Sequence, residues 1–122
     1  MKRFTRYFAI ALVVVTVAAF CSQTAFAGRT GGASSGYGTV SPGLSMYYDI
    51  SFDADYTAVV TAVSTGNAPI EVFIYDSDGH IARGTGRGTA KTATMDVYRT
   101  GVFRVEVRNM GDAPTTFVIN TN

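Results

Sequence analysis

Cysteine occurs once in the 122 residues, histidine once and proline three times, and no apolar run is long enough to span a bilayer. Each absence excludes something. One cysteine forms no intramolecular disulfide, so the fold cannot be a disulfide scaffold. The longest apolar stretch runs from Phe8 to Phe20, interrupted only by Thr16. At 1.5 Å per residue it falls short of a hydrocarbon core. A basic surplus is missing too. Lys2, Arg3 and Arg6 are three of the ten basic residues, and past them 7 bases face 9 acids. Nucleic acid is therefore excluded as a partner, because neutralising phosphates needs a clustered basic face.

The first 27 residues have the three parts of a secretory signal. A basic start (MKRFTRY) leads into the apolar run and then into Ala25-Phe26-Ala27, which offers small residues where signal peptidase cuts. Cleavage is expected near Ala27, leaving no membrane span and a secreted or periplasmic product. Cys21 would leave with the peptide. Phe20 before it is too large for a lipoprotein site. The chain from Gly28 onward is then free of cysteine, slightly acidic and long enough for one core.

Residues 28–44 are rich in glycine and serine (GRTGGASSGYGTVSPG and Leu44) and read as a flexible leader. From Ser45 the apolar period becomes two. SMYYDISF alternates Met46, Tyr48, Ile50 and Phe52 against Ser45, Tyr47, Asp49 and Ser51. YTAVVTAVS (56–64) is a second strand whose facing stays open, since valine occurs in both alternating sets. IEVFIY (70–75) turns through Asp76-Ser77-Asp78-Gly79 into HIAR (80–83). Further strands are expected near 92–98, at 102–109 (VFRVEVRN) and at 115–121 (TTFVINT). About seven short strands without a helical period predict an all-β, antiparallel β-sandwich of jelly-roll type over 45–122.

Three stretches, in this order, resemble the bacterial pre-peptidase C-terminal domain: SMYYDISFDADYTAVVTAV as its opening strand pair, IEVFIYDSDGHIARG as its hairpin, and TGVFRVEVRN with TTFVINT as its closing strands. The resemblance implies a small β-sandwich that serves secreted peptidases as an accessory or binding module. No peptidase domain fits in this length, so the module is expected to stand alone.

Candidate chemistry is sparse, and no catalytic group is expected. Gly32-Ala33-Ser34-Ser35-Gly36 spells G-x-S-x-G, but it has no strand-turn-helix around it to make Ser34 a nucleophile. His80 is the one side chain that titrates near neutrality unperturbed, and it sits beside a turn rather than a nucleophile. Asp76 and Asp78 begin like a calcium loop, but Ile81 and Arg87 occupy later ligand positions. They remain weak calcium candidates, with Asp53 or Asp55 as possible helpers, and no cofactor is called for. Gly84-Thr85-Gly86-Arg87-Gly88 lacks the dinucleotide spacing.

The alternation does imply a face. With Ile70, Val72 and Ile74 inside, Phe73 and Tyr75 point outward beside Glu71, Tyr47 points outward on its own strand, and Arg104 and Arg108 on another. Aromatic rings flanked by charge suit sugar rings or extended peptides. Tyr47, Phe73, Tyr75 and Arg104 are thus the expected contacts of a monomeric module binding an extracellular polysaccharide or protein. The competing reading is that these rings only form cross-strand pairs that stabilise the sheet. A structural component assembling through sheet edges, or a small hydrolase using Ser34 or His80, are the alternatives.

Overall fold

The computed structural model describes residues 28–122, so the expected signal segment, with Cys21, lies outside the described residues. Eight strands follow one another: β1 (Ser34–Val40), β2 (Ser45–Phe52), β3 (Thr57–Ser64), β4 (Ile70–Tyr75), β5 (Ile81–Arg83), β6 (Ala90–Asp96), β7 (Gly101–Asn109) and β8 (Thr115–Thr121). They form two four-stranded antiparallel sheets, ordered β1-β8-β3-β6 and β2-β7-β4-β5. No helix is present among the described residues. The β-sandwich expected from the alternation is the observed architecture.

The core lies between the sheets. From one sheet come Val72, Ile74, Val105 and Val107; from the other, Val60, Ala62, Phe117 and Ile119. Two edge-to-face aromatic pairs cross it or cap it, Tyr48 with Phe117 and Phe52 with Phe103, at 6.4 and 5.6 Å between centroids. In β3 the structure resolves the open facing: Ala58, Val60 and Ala62 are buried, while Val59, Thr61 and Val63 form the half-buried outer row. Gly79 closes the β4–β5 hairpin at φ +89°, as the Asp-Ser-Asp-Gly turn predicted.

One expectation is corrected. The supposed flexible leader contains β1, which pairs along its whole length with β8 from Ser34↔Thr121 to Val40↔Thr115. The glycines there make room rather than slack. A Cβ on Gly38 would stand 2.8 Å from the Tyr48 hydroxyl and 3.0 Å from the Phe117 ring. Gly28 to Thr30 are also held. The Arg29 amide donates to the Asn122 carbonyl at 2.9 Å, and the Thr30 amide to the Ser51 carbonyl at 2.8 Å. The strand count is accordingly eight, not seven.

Candidate functional site: the outer face of β2, β7 and β4

Antiparallel register arranges the outward residues of this sheet in rows. Tyr47 lies opposite Glu106, which lies opposite Phe73, itself opposite Arg83 on β5. One row along, Asp49, Arg104, Tyr75 and Ile81 are neighbours in the same way. On the other side stand Ser45, Arg108 and Glu71. The four expected contacts, Tyr47, Phe73, Tyr75 and Arg104, therefore share one face.

At its centre is a residue that alternation marks only as an outward charge. Glu106 is 2% exposed. Its carboxylate accepts hydrogen bonds from the Ser45 hydroxyl at 2.5 Å, from the Tyr75 hydroxyl, and from Arg108 Nε at 3.0 Å. Burial pushes the carboxyl up, but the two hydroxyls and the Arg108 guanidinium outweigh it and hold Glu106 below its ordinary value. The Tyr75 phenol is pushed up to about 12, by burial first and then by its bond to the Glu106 carboxylate. A buried charge this fully partnered fixes the groups around it.

The rings are fixed as well. Phe73 and Tyr75 stack at 6.1 Å with 27° between planes, and the Arg108 guanidinium lies 5.0 Å from the Phe73 centroid. The Arg104 guanidinium lies 5.7 Å from the centroid of Tyr47, with its Nε 3.3 Å from the Asp49 carboxylate. Phe73 and Tyr75 are half-buried beneath these cations, whereas Tyr47 remains 56% exposed. The cross-strand pairing weighed above is thus present, and of the four expected contacts it leaves the Tyr47 ring and the Arg104 side chain accessible.

The remaining candidates lie elsewhere and apart. Asp76, Asp78 and His80 bring three donor atoms within 4.8 Å of one another. Those atoms already have partners. Asp76 accepts from the His80 and Asp78 amides at 2.7 and 2.9 Å, and its second oxygen meets His80 Nδ1 at 2.7 Å. Asp78 is paired with Arg99 at 2.9 Å. Burial nudges the Asp76 carboxyl up, but its bonds from His80 and Asp78 bring it below the ordinary value. Asp53, hydrogen-bonded by Thr30 at 2.7 Å, and Asp55 stand outside this cluster. Ser34 lines a groove of about 470 Å³ between β1 and β2, and His80 a separate cleft of about 300 Å³ at the β4–β5 turn. The structure does not bring Ser34 and His80 together.

No family model matches the chain, and no curated protein matches it in sequence. Solved structures do. The pre-peptidase C-terminal domain of a collagenase from Bacillus anthracis superposes with a TM-score of 0.62 at 12% identity, over 73% of this chain and 88% of that one. The likeness is one of fold. PliG of Aeromonas hydrophila, a periplasmic inhibitor of g-type lysozyme, gives 0.52 at 14% identity, over 74% of this chain and 84% of its own. The Yersinia pseudotuberculosis-derived mitogen gives 0.51 at 13% identity, over the same shares. The resemblance read from the three sequence stretches is thus supported as a shared β-sandwich, a scaffold on which unrelated sites are carried.

Proposed function

We propose that the chain is a non-catalytic binding module acting outside the cytoplasm, and that the outer face of β2, β7 and β4 is its contact surface for an extracellular polysaccharide or protein. The observation that carries this reading is Glu106. A carboxylate buried under an exposed sheet face is costly unless it organises something. Here it locks Tyr75, Ser45 and Arg108, and through them the ring stack, so the accessible Tyr47–Arg104 pair stands on a rigid floor. Preorganised aromatic and guanidinium groups lose little entropy on binding a planar sugar face or an extended peptide. The signal-like first 27 residues and the likeness to accessory and inhibitor domains agree with this role.

The test is a glycan and matrix-protein array probed with the wild type, Tyr47→Ala and Arg104→Ala. A ligand bound by the wild type and lost in both variants supports the surface. Equal signals from all three discard it.

A further inference from the structure

Four strands are sheet edges, and three of them are poor templates for another strand. β5 has three residues and carries Arg83. β6 carries Lys91 and is partly closed by the reciprocal bonds between Thr85 and Thr92 at 2.8 and 2.9 Å. β1 presents glycine at 36 and 38, where an incoming side chain has little to pack on. β2 is different. It is eight residues long and holds neither proline nor lysine, and its one charge is Asp49.

The chain itself already pairs with one end of this edge, through a single antiparallel bridge between Arg29 and Phe52. The Thr30 amide donates to the Ser51 carbonyl, and the Asp53 amide to the Gly28 carbonyl at 2.7 Å, in antiparallel fashion. At Gly31 and Gly32, both with positive φ, the chain leaves for β1. By the alternation of an antiparallel ladder, Ser45, Tyr47 and Asp49 direct their amides and carbonyls the same way as Ser51, away from β7. Among the described residues no hydrogen bond reaches these groups. An open window of five residues, 45–49, is left with Tyr47 at its middle.

We infer that this window pairs with the same window of a second copy of the chain, antiparallel about a two-fold axis through Tyr47. The register is self-complementary. Tyr47 faces its own counterpart, and Asp49 faces Ser45, so no like charges meet. On the groove side the narrow, non-hydrogen-bonded pairs, where side chains approach closest, are Leu44 with Ile50 and Met46 with Tyr48. Leu44 is 61% exposed, an apolar side chain otherwise without cover. Shifting the axis to Tyr48 would set Ser45 against Ser51, whose carbonyl is already taken by Thr30. Three hydrogen-bonded pairs with a modest apolar contact make a small interface, so association is weak, micromolar or looser. The result is a continuous eight-stranded sheet that sets two Tyr47–Arg104 seats side by side, which raises avidity for a repeating polymer.

The inference stands independently of the ligand reading, and its test separates them. Protein recovered from cells expressing the full-length chain is sedimented from about 10 µM to about 1 mM, the range a weak dimer requires. The wild type should shift to a dimer with rising concentration. Asp49→Pro should stay monomeric, with a dimer dissociation constant at least roughly tenfold higher, because proline removes an outward edge donor without touching the β2–β7 ladder. Asp49→Asn should associate like the wild type, and so should Arg104→Ala. If Asp49→Pro does not fold, wild-type hydrogen exchange decides: the Tyr47 and Asp49 amides should gain protection as concentration rises. A wild type that remains monomeric throughout, Asp49→Pro that dimerises normally, or edge amides indifferent to concentration would each overturn the inference.

Discussion

On the outer face of β2-β7-β4-β5 stand Asp49, Glu71, Arg83, Arg104, Glu106 and Arg108, joined in ion pairs and to three aromatic rings. On the outer face of β1-β8-β3-β6 the register leaves one charge, Asp96, and one aromatic ring, the exposed Tyr37, among threonine, serine, valine, alanine and asparagine. There the neighbours are two hydroxyl pairs, Thr61 with Thr92 at 3.1 Å and Thr39 with Thr116 at 3.3 Å, and the Thr57 hydroxyl, which donates to the Asp96 carboxylate at 3.0 Å. Both faces cover the same core with four antiparallel strands. One hangs on a single buried carboxylate, so its organisation is concentrated. The other spreads its contacts over many β-branched side chains, each replaceable.

That contrast can be broken in descending order of effect. Glu106→Ala strips three partners at once and should cost about 3 kcal/mol in chemical denaturation, discounted for the rehydration open to Arg108. A loss below about 1 kcal/mol would show that the charged face is as diffuse as the other. Tyr75→Phe should cost about 1–2 kcal/mol near neutral pH, and it should alter the pH profile at one end. The Tyr75 phenol titrates at about 12 in the fold and near 10 unfolded. Its contribution is therefore complete below about pH 10 and lost as pH rises toward about 12. The phenylalanine variant should lack that alkaline decline, measured by urea midpoints against pH. At the acid end the sign reverses. Glu106 is held below its ordinary value, so its contribution is present above about pH 4.3 and lost as pH falls through the folded value.

On the quiet face, Thr61→Val should cost no more than about 1 kcal/mol, since Thr92 keeps neighbours and the methyl surface is retained. A larger loss would mean that the hydroxyl ladder also has a keystone. Smallest is Arg104→Ala, expected within about 0.5 kcal/mol of wild type, because its pairing with Asp49 is exposed. The same variant should nonetheless abolish ligand capture, a separation of stability from binding that calorimetry and the arrays together would read.

Most of this architecture was legible in the chain. Ile70–Tyr75 and Gly101–Asn109 declare themselves because valine and isoleucine recur at every second position against charged or aromatic neighbours. β1 was not legible. Before Val40 its inward positions are Gly36 and Gly38, so the apolar alternation that marks a half-buried strand is missing, and the space beside Gly38 is filled instead by Tyr48 and Phe117 from other strands. The shared face was visible, since Tyr47, Phe73, Tyr75 and Arg104 follow from alternation alone. The role of Glu106 was not. In the run Arg104-x-Glu106-x-Arg108 it reads as one outward charge among three. Only register sets it between Tyr47 and Phe73, and only packing buries it.

The position of β8 carries a consequence for how the fold is reached. It lies between β1 and β3, yet it comes after every other described strand in the chain. Until its seven residues arrive, β1 has no neighbour in its sheet and Phe117 and Ile119 are missing from the core. Ser34 must find Thr121 across nearly the whole described length. Such remote pairings place folding among the slower, non-local topologies. A chain emerging from its N-terminal end therefore cannot complete this sheet, or seat β1, until β8 has been made.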